Sequence, residues 1–207
     1  MRIIAGEYRG RTIKALSGPT TRPTTDRVRE SLMSALASAR GGFEGAVVLD
    51  AFAGSGALGL EALSRGAQSV TFYERDAAAC RVLRQNVQSL QIPSRACAIF
   101  QGDIFKQRPR FAGFPFDLVF LDPPYNTDVR DVLDLVKALH ENGVISDQAI
   151  ISYEHAKNSD SQLMQAINLL QCELVSHRSI GDTSLDILRM LDETDETHEN
   201  RDEGKPL

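Results

Sequence analysis

The chain has 207 residues, of which 42% are hydrophobic and 25% charged, which is the composition of a water-soluble globular domain long enough to bury a core. Its three cysteines lie far apart and lack the CxxC spacing of a zinc site, which argues against a disulfide framework or a structural metal. No apolar run reaches membrane-spanning length, and the first fifteen residues carry several charges where a signal peptide would be apolar. We therefore expect a cytoplasmic protein.

The net charge of −5 is distributed unevenly along the chain. Residues 192–207 contain seven acidic and two basic residues, which accounts for the whole net charge, whereas residues 1–40 contain eight basic and three acidic residues. The acidic segment is expected to be a disordered tail, and the basic N-terminal part can bind phosphates. We predict three parts: a basic N-terminal hairpin and linker over 1–24, one domain over 25–191 and the tail over 192–207.

In chain order, residues 2–16 alternate around a central turn and predict a small basic hairpin. Apolar residues at helical spacing predict a helix over 26–39, with Thr25 as its N-cap. Strands are then predicted at 46–52, 69–74, 95–101, 116–121 and 148–154, with helices near 57–65, 76–90, 128–141 and 160–167. Two final apolar runs, 169–177 and 184–191, predict a hairpin turning at Gly181-Asp182. This alternation predicts an α/β fold with a seven-stranded, mostly parallel sheet and helices on both faces.

A glycine-rich segment, Asp50-Ala51-Phe52-Ala53-Gly54-Ser55-Gly56-Ala57-Leu58-Gly59, follows the first strand. Gly54 and Gly56 let the backbone pass close to a ligand, and Gly59 lets the next helix pack tightly on the sheet. A GxGxxG pattern alone fits a dinucleotide as well as another nucleoside cofactor. Asp50 discriminates between them, because its carboxylate would repel a pyrophosphate and attract a positively charged amino acid group. An NAD-dependent oxidoreductase is therefore disfavoured.

Two further acids follow the next two strands. Glu74 ends the second strand, where a carboxylate can accept both hydroxyls of a ribose, and Asp103 follows the third, where it can hold an adenine amino group while Ile104 covers the ring. A single acid at such a position is usually only solvated. Because the carboxyl ends of parallel strands meet at one edge of the sheet, three acids at successive ends favour a binding site.

The segment Asp122-Pro123-Pro124-Tyr125 follows the fourth strand. The prolines fix φ and lack backbone N–H donors, which leaves the Asp122 side chain and the Pro123 carbonyl as acceptors beside an aromatic ring. This set suits holding both hydrogens of an exocyclic amino group on a flat base stacked on Tyr125. An ordinary strand-to-loop turn remains the alternative for these four residues alone. His155, after the fifth strand, can accept a proton, but a structural role is more common.

Together these motifs resemble the class I, Rossmann-like S-adenosylmethionine-dependent amino-methyltransferases. The segments Arg2-Ile3-Ile4-Ala5-Gly6, Arg9-Gly10-Arg11 and residues 22–30 narrow the resemblance to the bacterial small-subunit (16S) ribosomal RNA guanine-N2 methyltransferases, the RsmD family. The resemblance covers about residues 1–191. It implies S-adenosyl-L-methionine as the cofactor, no metal, and 16S ribosomal RNA within an assembling small-subunit particle as the partner of a monomeric enzyme.

The resemblance also assigns roles to residues that match the family motifs. Cofactor binding falls to Asp50, Gly54, Gly56, Glu74, Asp103, Ile104 and Thr25; handling of the target base to Asp122, Pro123 and Tyr125; and RNA contacts to Arg9, Arg11 and Arg27. Arg29 is expected to help Thr25 close the methionine pocket.

Two alternatives stay open. An adenine-N6 DNA methyltransferase would use the same tetrapeptide on another exocyclic amine, although the chain offers no second domain of the size needed to read a DNA sequence. An RNA-binding protein with a vestigial glycine loop is the other alternative, and the intact set of acids argues against it.

Overall fold

A computed structural model describes residues 1–16, 26–110, 113–167 and 171–191 of the chain. The helices are α1 Asp26–Arg40, α2 Ala57–Ser64, α3 Ala77–Leu90, α4 Val129–Glu141 and α5 Asp160–Ile167. The strands are β1 Val47–Asp50, β2 Ser69–Glu74, β3 Cys97–Gln101, β4 Phe116–Leu121, β5 Ile145–Ala156, β6 Cys172–Ile180 and β7 Thr183–Met190. Each predicted helix and each of the seven predicted strands of the sheet is present in the described residues. In the described part of the chain no helix is both long and apolar enough to cross a membrane.

All seven strands form one sheet in the order β3-β2-β1-β4-β5-β7-β6. The first five strands are parallel to one another, and β7 runs antiparallel to both β5 and β6. The β6–β7 hairpin turns at Gly181-Asp182, as predicted. The chain builds outward from β1 to β3 and then returns to place β4 on the other side of β1. Ligands of such folds bind at the carboxyl ends of the strands where this reversal occurs.

Strand β5 is longer than the sequence pattern predicted. Its register with β4 shifts between Phe116 and Leu118, and Gln148 adopts a φ of 63°. This irregularity turns Asp147 and Gln148 toward solvent, so the first residues of the strand lack an apolar alternation. Without that alternation the pattern indicated a strand only from residue 148.

The sheet is covered on both faces. One core lies between the sheet and helices α1, α2 and α3, and it includes Leu32, Leu36, Val48, Leu60, Phe72, Leu83 and Phe120. The other lies between the sheet and helices α4 and α5, and it includes Leu49, Val119, Leu121, Val132, Val136, Tyr153 and Leu163. Because successive side chains of a strand point to opposite faces, each strand contributes alternate residues to the two cores.

The N-terminal segment reverses direction as predicted, but it forms a single antiparallel bridge, between Arg2 and Thr12, instead of two regular strands. Ile3 and Ile13 are buried against the α1–α3 side. The backbone N–H groups of residues 4 and 5 donate to the fully buried carboxylate of Glu61 on α2, at 2.9 and 3.0 Å. These donors are therefore unavailable for a longer strand ladder. The predicted acidic tail, 192–207, lies outside the described residues.

Candidate active site

Four carboxylates lie at the carboxyl ends of four adjacent parallel strands. Asp50 ends β1, Glu74 ends β2, Asp122 follows β4 directly, and Glu154 lies near the end of β5. Each acid is preceded on its strand by an apolar residue, two positions earlier or, for Glu154, four positions earlier. All four of these apolar residues pack in the core formed with α1, α2 and α3: Val48, Phe72, Phe120 and Ile150. The alternation of strand side chains therefore directs all four acids to the same face of the sheet. The structure brings together three acids that the sequence predicted, and it adds Glu154.

Asp50 is buried at the centre of this group, with 2% of its surface exposed. Its Oδ2 accepts a hydrogen bond from the Gly59 N–H at 3.1 Å. The pKa of Asp50 is raised to about 7: burial raises it most, the Gly59 hydrogen bond lowers it, and the charge of Glu74 raises it. Among the described residues no cation lies within ion-pairing distance of Asp50. The site is therefore completed either by a proton or by a positively charged ligand.

The glycine loop is held by the second acid of the group. Gly54 and Gly56 adopt left-handed φ values of 54° and 82°, which glycine reaches without strain. The Gly54 N–H donates to Glu74 Oε2 at 2.8 Å, and the Asp76 N–H donates to Glu74 Oε1 at 2.7 Å. Each carboxylate oxygen keeps a second lone pair that can accept from a ligand hydroxyl. Gly59 is also required, because a Cβ there would overlap the ring of Phe72.

The segment after β3 is ordered by a turn at Asp103. Asp103 Oδ1 accepts from the Phe105 N–H at 3.0 Å, and Lys106 Nζ lies 4.0 Å from Oδ2. Ile104 is 2% exposed and packs in the core beside α4, so little of its side chain is open to a ligand. Phe105 is half-buried, and its ring centroid lies 5.6 Å from that of Phe52.

The loop after β4 is rigid where it leaves the sheet. Pro123 is buried, and the Thr127 N–H donates to the Pro124 carbonyl at 2.8 Å. The Tyr125 ring is 51% exposed beside the acids, and its hydroxyl is 3.1 Å from Oγ1 of Thr183 on β7. The arrangement leaves an aromatic surface open to solvent next to the Asp122 carboxyl.

Asp122 and Glu154 lie side by side because β4 and β5 are paired in register up to Leu121 and Tyr153. The surrounding protein removes part of the hydration of the Asp122 carboxyl and raises its pKa, and the charges of Glu154 and Asp50 raise it further. The side chain remains accessible to water, which moderates this rise. The sequence analysis missed Glu154, although the signal that identified Asp50 and Glu74, an acid at the end of an apolar strand, is present there too.

His155 lies on the opposite face of β5 and is buried. Its Nε2 is 2.7 Å from Asp186 Oδ2, and its Nδ1 is 3.1 Å from the Ala156 carbonyl. Burial lowers the pKa of His155, but these two hydrogen bonds and the charges of Asp186 and Asp160 together outweigh it and leave the pKa raised. Asp186 also accepts from Nδ1 of His177 at 2.6 Å. His155 therefore ties β5 to β7, which agrees with the structural role favoured by the sequence analysis.

The basic residues of the N-terminal part differ in their surroundings. Arg9 is exposed and lines a small cavity of about 210 Å³ with Arg2, and Arg27 is exposed on α1. Arg11, by contrast, directs its guanidinium to the backbone carbonyls of Ser89 and Leu90 at the end of α3. A cation at this position satisfies carbonyls that the helix leaves unpaired.

Arg29, expected near the methionine pocket, is 2% exposed and binds the Arg2 carbonyl at 2.6 Å and Asp26 at 3.1 Å. It therefore fastens α1 to the N-terminal segment. Thr25 lies outside the described residues. Within the described ranges, no group of three or more His, Cys, Asp or Glu side chains could hold a metal ion.

Comparisons with known proteins agree with this architecture. The family described as "Conserved hypothetical protein 95" matches residues 1–189. "Ribosomal RNA small subunit methyltransferase D" of Escherichia coli (strain K12) is 39% identical over 154 residues, which is 74% of this chain and 74% of that protein. The protein of the same name from Haemophilus influenzae is 39% identical over 160 residues, or 76% of this chain and 80% of that protein.

Solved structures lead to the same fold. The Escherichia coli protein yhhF superposes with a TM-score of 0.75 at 32% identity, over 92% of this chain and 98% of that chain. A Haemophilus influenzae protein gives a TM-score of 0.71 at 31% identity over the same shares. These relatives confirm the predicted Rossmann-like methyltransferase fold and the prediction of a methyltransferase. The chain therefore belongs to the family described as conserved hypothetical protein 95, which is the RsmD family that its sequence motifs indicated.

Proposed function

We propose that this protein is a cytoplasmic S-adenosylmethionine-dependent methyltransferase that modifies the N2 amine of a guanine in 16S ribosomal RNA. The observation that carries the proposal is the group of carboxylates on one face of the sheet, beside the glycine loop and the exposed Tyr125 ring. The relatives whose names state ribosomal RNA methylation favour RNA as the substrate over the alternative of adenine-N6 methylation of DNA. We further propose that the protein acts as a monomer on an assembling small-subunit particle.

The cofactor site fits a cationic nucleoside. The buried Asp50, whose pKa is raised to about 7, is suited to the ammonium group of a methionine moiety, and the Gly54–Gly56 loop leaves room for its chain. Glu74 keeps lone pairs for the ribose hydroxyls, and Asp103 Oδ2 is available to the adenine amino group. When bound, S-adenosylmethionine supplies an electrophilic methyl group, whose carbon–sulfur bond breaks as the carbon–nitrogen bond forms.

The protein's own residues prepare the amine. Its nitrogen lone pair is delocalised into the base, which makes the amine a poor nucleophile. Acceptors at Asp122 and the Pro123 carbonyl would hold both hydrogens and favour a pyramidal nitrogen whose lone pair points out of the ring plane. After transfer the nitrogen is positively charged and must lose a proton. The raised pKa of Asp122, beside Glu154, suits that carboxyl to accept it.

The base must lie outside a helical stack to reach this site, and the exposed ring of Tyr125 offers a surface on which it can stack. Arg9 and Arg27 are exposed and are proposed to contact RNA phosphates. For Arg11 the proposal is weaker, since its guanidinium already binds the end of α3. The proposed domain organisation stays as the sequence indicates: 1–24, 25–191 and 192–207.

The proposal is tested by mapping methylated nucleotides in ribosomal RNA from cells with and without the gene. The purified protein and S-adenosylmethionine should then restore the missing N2-methylguanine to that RNA, naked or in small-subunit particles. The Asp122→Ala variant, with its cofactor affinity measured separately, is the matched control. Faster methylation of adenine in duplex DNA would favour the DNA alternative, and no methyl transfer to either nucleic acid would contradict the proposal.

Base stacking has a direct optical test, because the chain contains no tryptophan. A Tyr125→Trp variant carries a single indole at the proposed stacking position. Its fluorescence should be quenched when substrate RNA binds, whereas a tryptophan in place of the exposed Phe114, which precedes the opposite end of β4, should respond much less. Equal responses would remove Tyr125 from the base site.

A further inference from the structure

We propose that Thr183 is a positioning residue for methyl transfer, whose hydroxyl holds the ring of Tyr125 in the orientation on which the target base stacks. This inference rests on the proposed function, because it concerns the same base site. Thr183 lies 58 residues from Tyr125 along the chain and belongs to the hairpin beyond β5. No sequence motif connects the two residues.

The ring of Tyr125 needs such a restraint. Its backbone is fixed, because two prolines precede it and the Thr127 N–H closes a turn onto the Pro124 carbonyl at 2.8 Å. Its side chain, however, is 51% exposed, so packing restrains its two rotatable bonds weakly. The hydroxyl at the far end of the ring lies 3.1 Å from Thr183 Oγ1. Because this hydrogen bond is made at the end of the ring farthest from the backbone, it restrains both side-chain torsions of Tyr125.

Thr183 is itself a rigid anchor. It is the first residue of β7, 9% exposed, and is paired with Ala156 of β5 and Ile180 of β6. Three residues further along β7, Asp186 accepts a hydrogen bond from His155 and so fastens the same hairpin to β5. The hydroxyl that holds Tyr125 therefore belongs to the sheet and does not move with the loop. The ring is ordered before the base arrives, which lowers the entropy cost of binding it.

The consequence is a measurable coupling between the two side chains. Thr183→Val keeps the shape and removes the hydroxyl, Tyr125→Phe keeps the ring and removes the other partner, and Thr183→Ser keeps the hydrogen bond. We expect Thr183→Val and Tyr125→Phe each to lower kcat/KM for RNA by roughly three- to tenfold, the range of one neutral hydrogen bond. The double variant should be no slower than either single variant, and Thr183→Ser should match the wild type. Affinity for S-adenosylmethionine should not change.

Melting temperatures separate positioning from a general structural role. If the losses of activity follow losses of thermal stability, or if the double variant shows the product of the two single effects, the proposal is overturned. Wild-type activity in Thr183→Val overturns it as well.

A readout without catalysis keeps this inference separate from the proposed function. The chain has four tyrosines, which can be labelled as 3-fluorotyrosine and assigned with Tyr125→Phe. In Thr183→Val the fluorine resonance of Tyr125 should sharpen and shift, because the ring gains freedom, while the other three stay unchanged. An unchanged Tyr125 resonance overturns the positioning role even if the protein methylates RNA. A changed resonance in a protein that methylates nothing would instead refute the proposed function.

Discussion

Replacing Asp50 with asparagine removes a buried charge at the centre of the site while preserving its size and the acceptor that faces the Gly59 N–H. In the wild-type protein the pKa of Asp50 is raised to about 7 by burial, with the nearby charge of Glu74 adding to the rise. A bound cation stabilises the ionised carboxylate and lowers this pKa. Binding of S-adenosylmethionine should therefore release a proton near neutral pH, and affinity should increase as the pH rises.

The size of the effect follows from the pKa. If the cation binds only to the ionised carboxylate, about one-tenth of the protein is competent at pH 6 and about nine-tenths at pH 8, for a pKa of about 7. We thus expect the dissociation constant to fall about tenfold between these values. Asp50→Asn should bind with the wild-type affinity of pH 6 or weaker, and with little dependence on pH.

Isothermal titration calorimetry at pH 6, 7 and 8 measures the affinities, and buffers of different ionisation enthalpy count the protons released. Glu74 and Asp122 are present in both proteins, and the titration of the ligand's own groups is common to both. The difference in slope therefore reports the Asp50 charge, including its effect on the pKa of Asp122. Parallel pH profiles for wild type and Asp50→Asn would refute the assignment of a cation to this carboxylate.

Three further predictions concern chemistry and stability. Asp122→Ala should slow single-turnover methylation of RNA on the order of 10²–10³-fold, with the affinity for the cofactor nearly unchanged. A wild-type rate in this variant would exclude the proposed role of Asp122 as an acceptor for the target amine. Asn86→Ala should lower the free energy of unfolding, measured in urea, by about 2–4 kcal/mol, because the buried Asn86 amide makes hydrogen bonds to the backbone of residues 14 and 55. The control Gln88→Ala, at an exposed position on the same helix, should lower it by less than about 1 kcal/mol. Equal losses in the two variants would contradict this prediction. Because the pKa of His155 is raised on folding, the stability that this residue contributes is complete below its unfolded pKa of about 6.5 and is lost as the pH rises through the folded pKa. The free energy of unfolding of His155→Gln should therefore depend less on pH than that of the wild type. Identical pH profiles for the two proteins would exclude the ion pair with Asp186.

Much of the site was predictable because it depends on the alternation of side chains along a strand, which repeats every two residues, and on the direction of the strands. An apolar strand that ends in an acid places that acid at the carboxyl edge of a parallel sheet, and this reasoning located Asp50, Glu74 and Asp122. The same reasoning applies to Glu154, the last residue of the predicted strand 148–154, but at that strand end the sequence analysis considered only the neighbouring His155, for which it favoured a structural role.

Contacts between distant segments were not predictable. The charge of the N-terminal part was evident from the sequence, yet the count of arginines could not show that Arg11 binds the end of α3 or that the buried Arg29 binds the Arg2 carbonyl. Nor could it show that Glu61 on α2 would take the backbone donors expected to form a hairpin. Each of these depends on how helices and the N-terminal segment pack on one face of the sheet, which a local pattern does not contain.

The charges of the molecule favour a cation at the strand ends and an anion at the N-terminal part of the chain. Four carboxylates converge on one face at the strand ends, where burial and, to a smaller extent, like charges raise the pKa values of Asp50 and Asp122 and so disfavour any further negative group. A pyrophosphate would add to that repulsion, whereas a sulfonium and an ammonium relieve it. The exposed cations Arg9 and Arg27 belong to the N-terminal part of the chain and not to the strand ends. Under the proposed function, this separation would let one protein bind a cationic methyl donor and a polyanionic RNA at the same time, because each ligand would meet charge of the opposite sign.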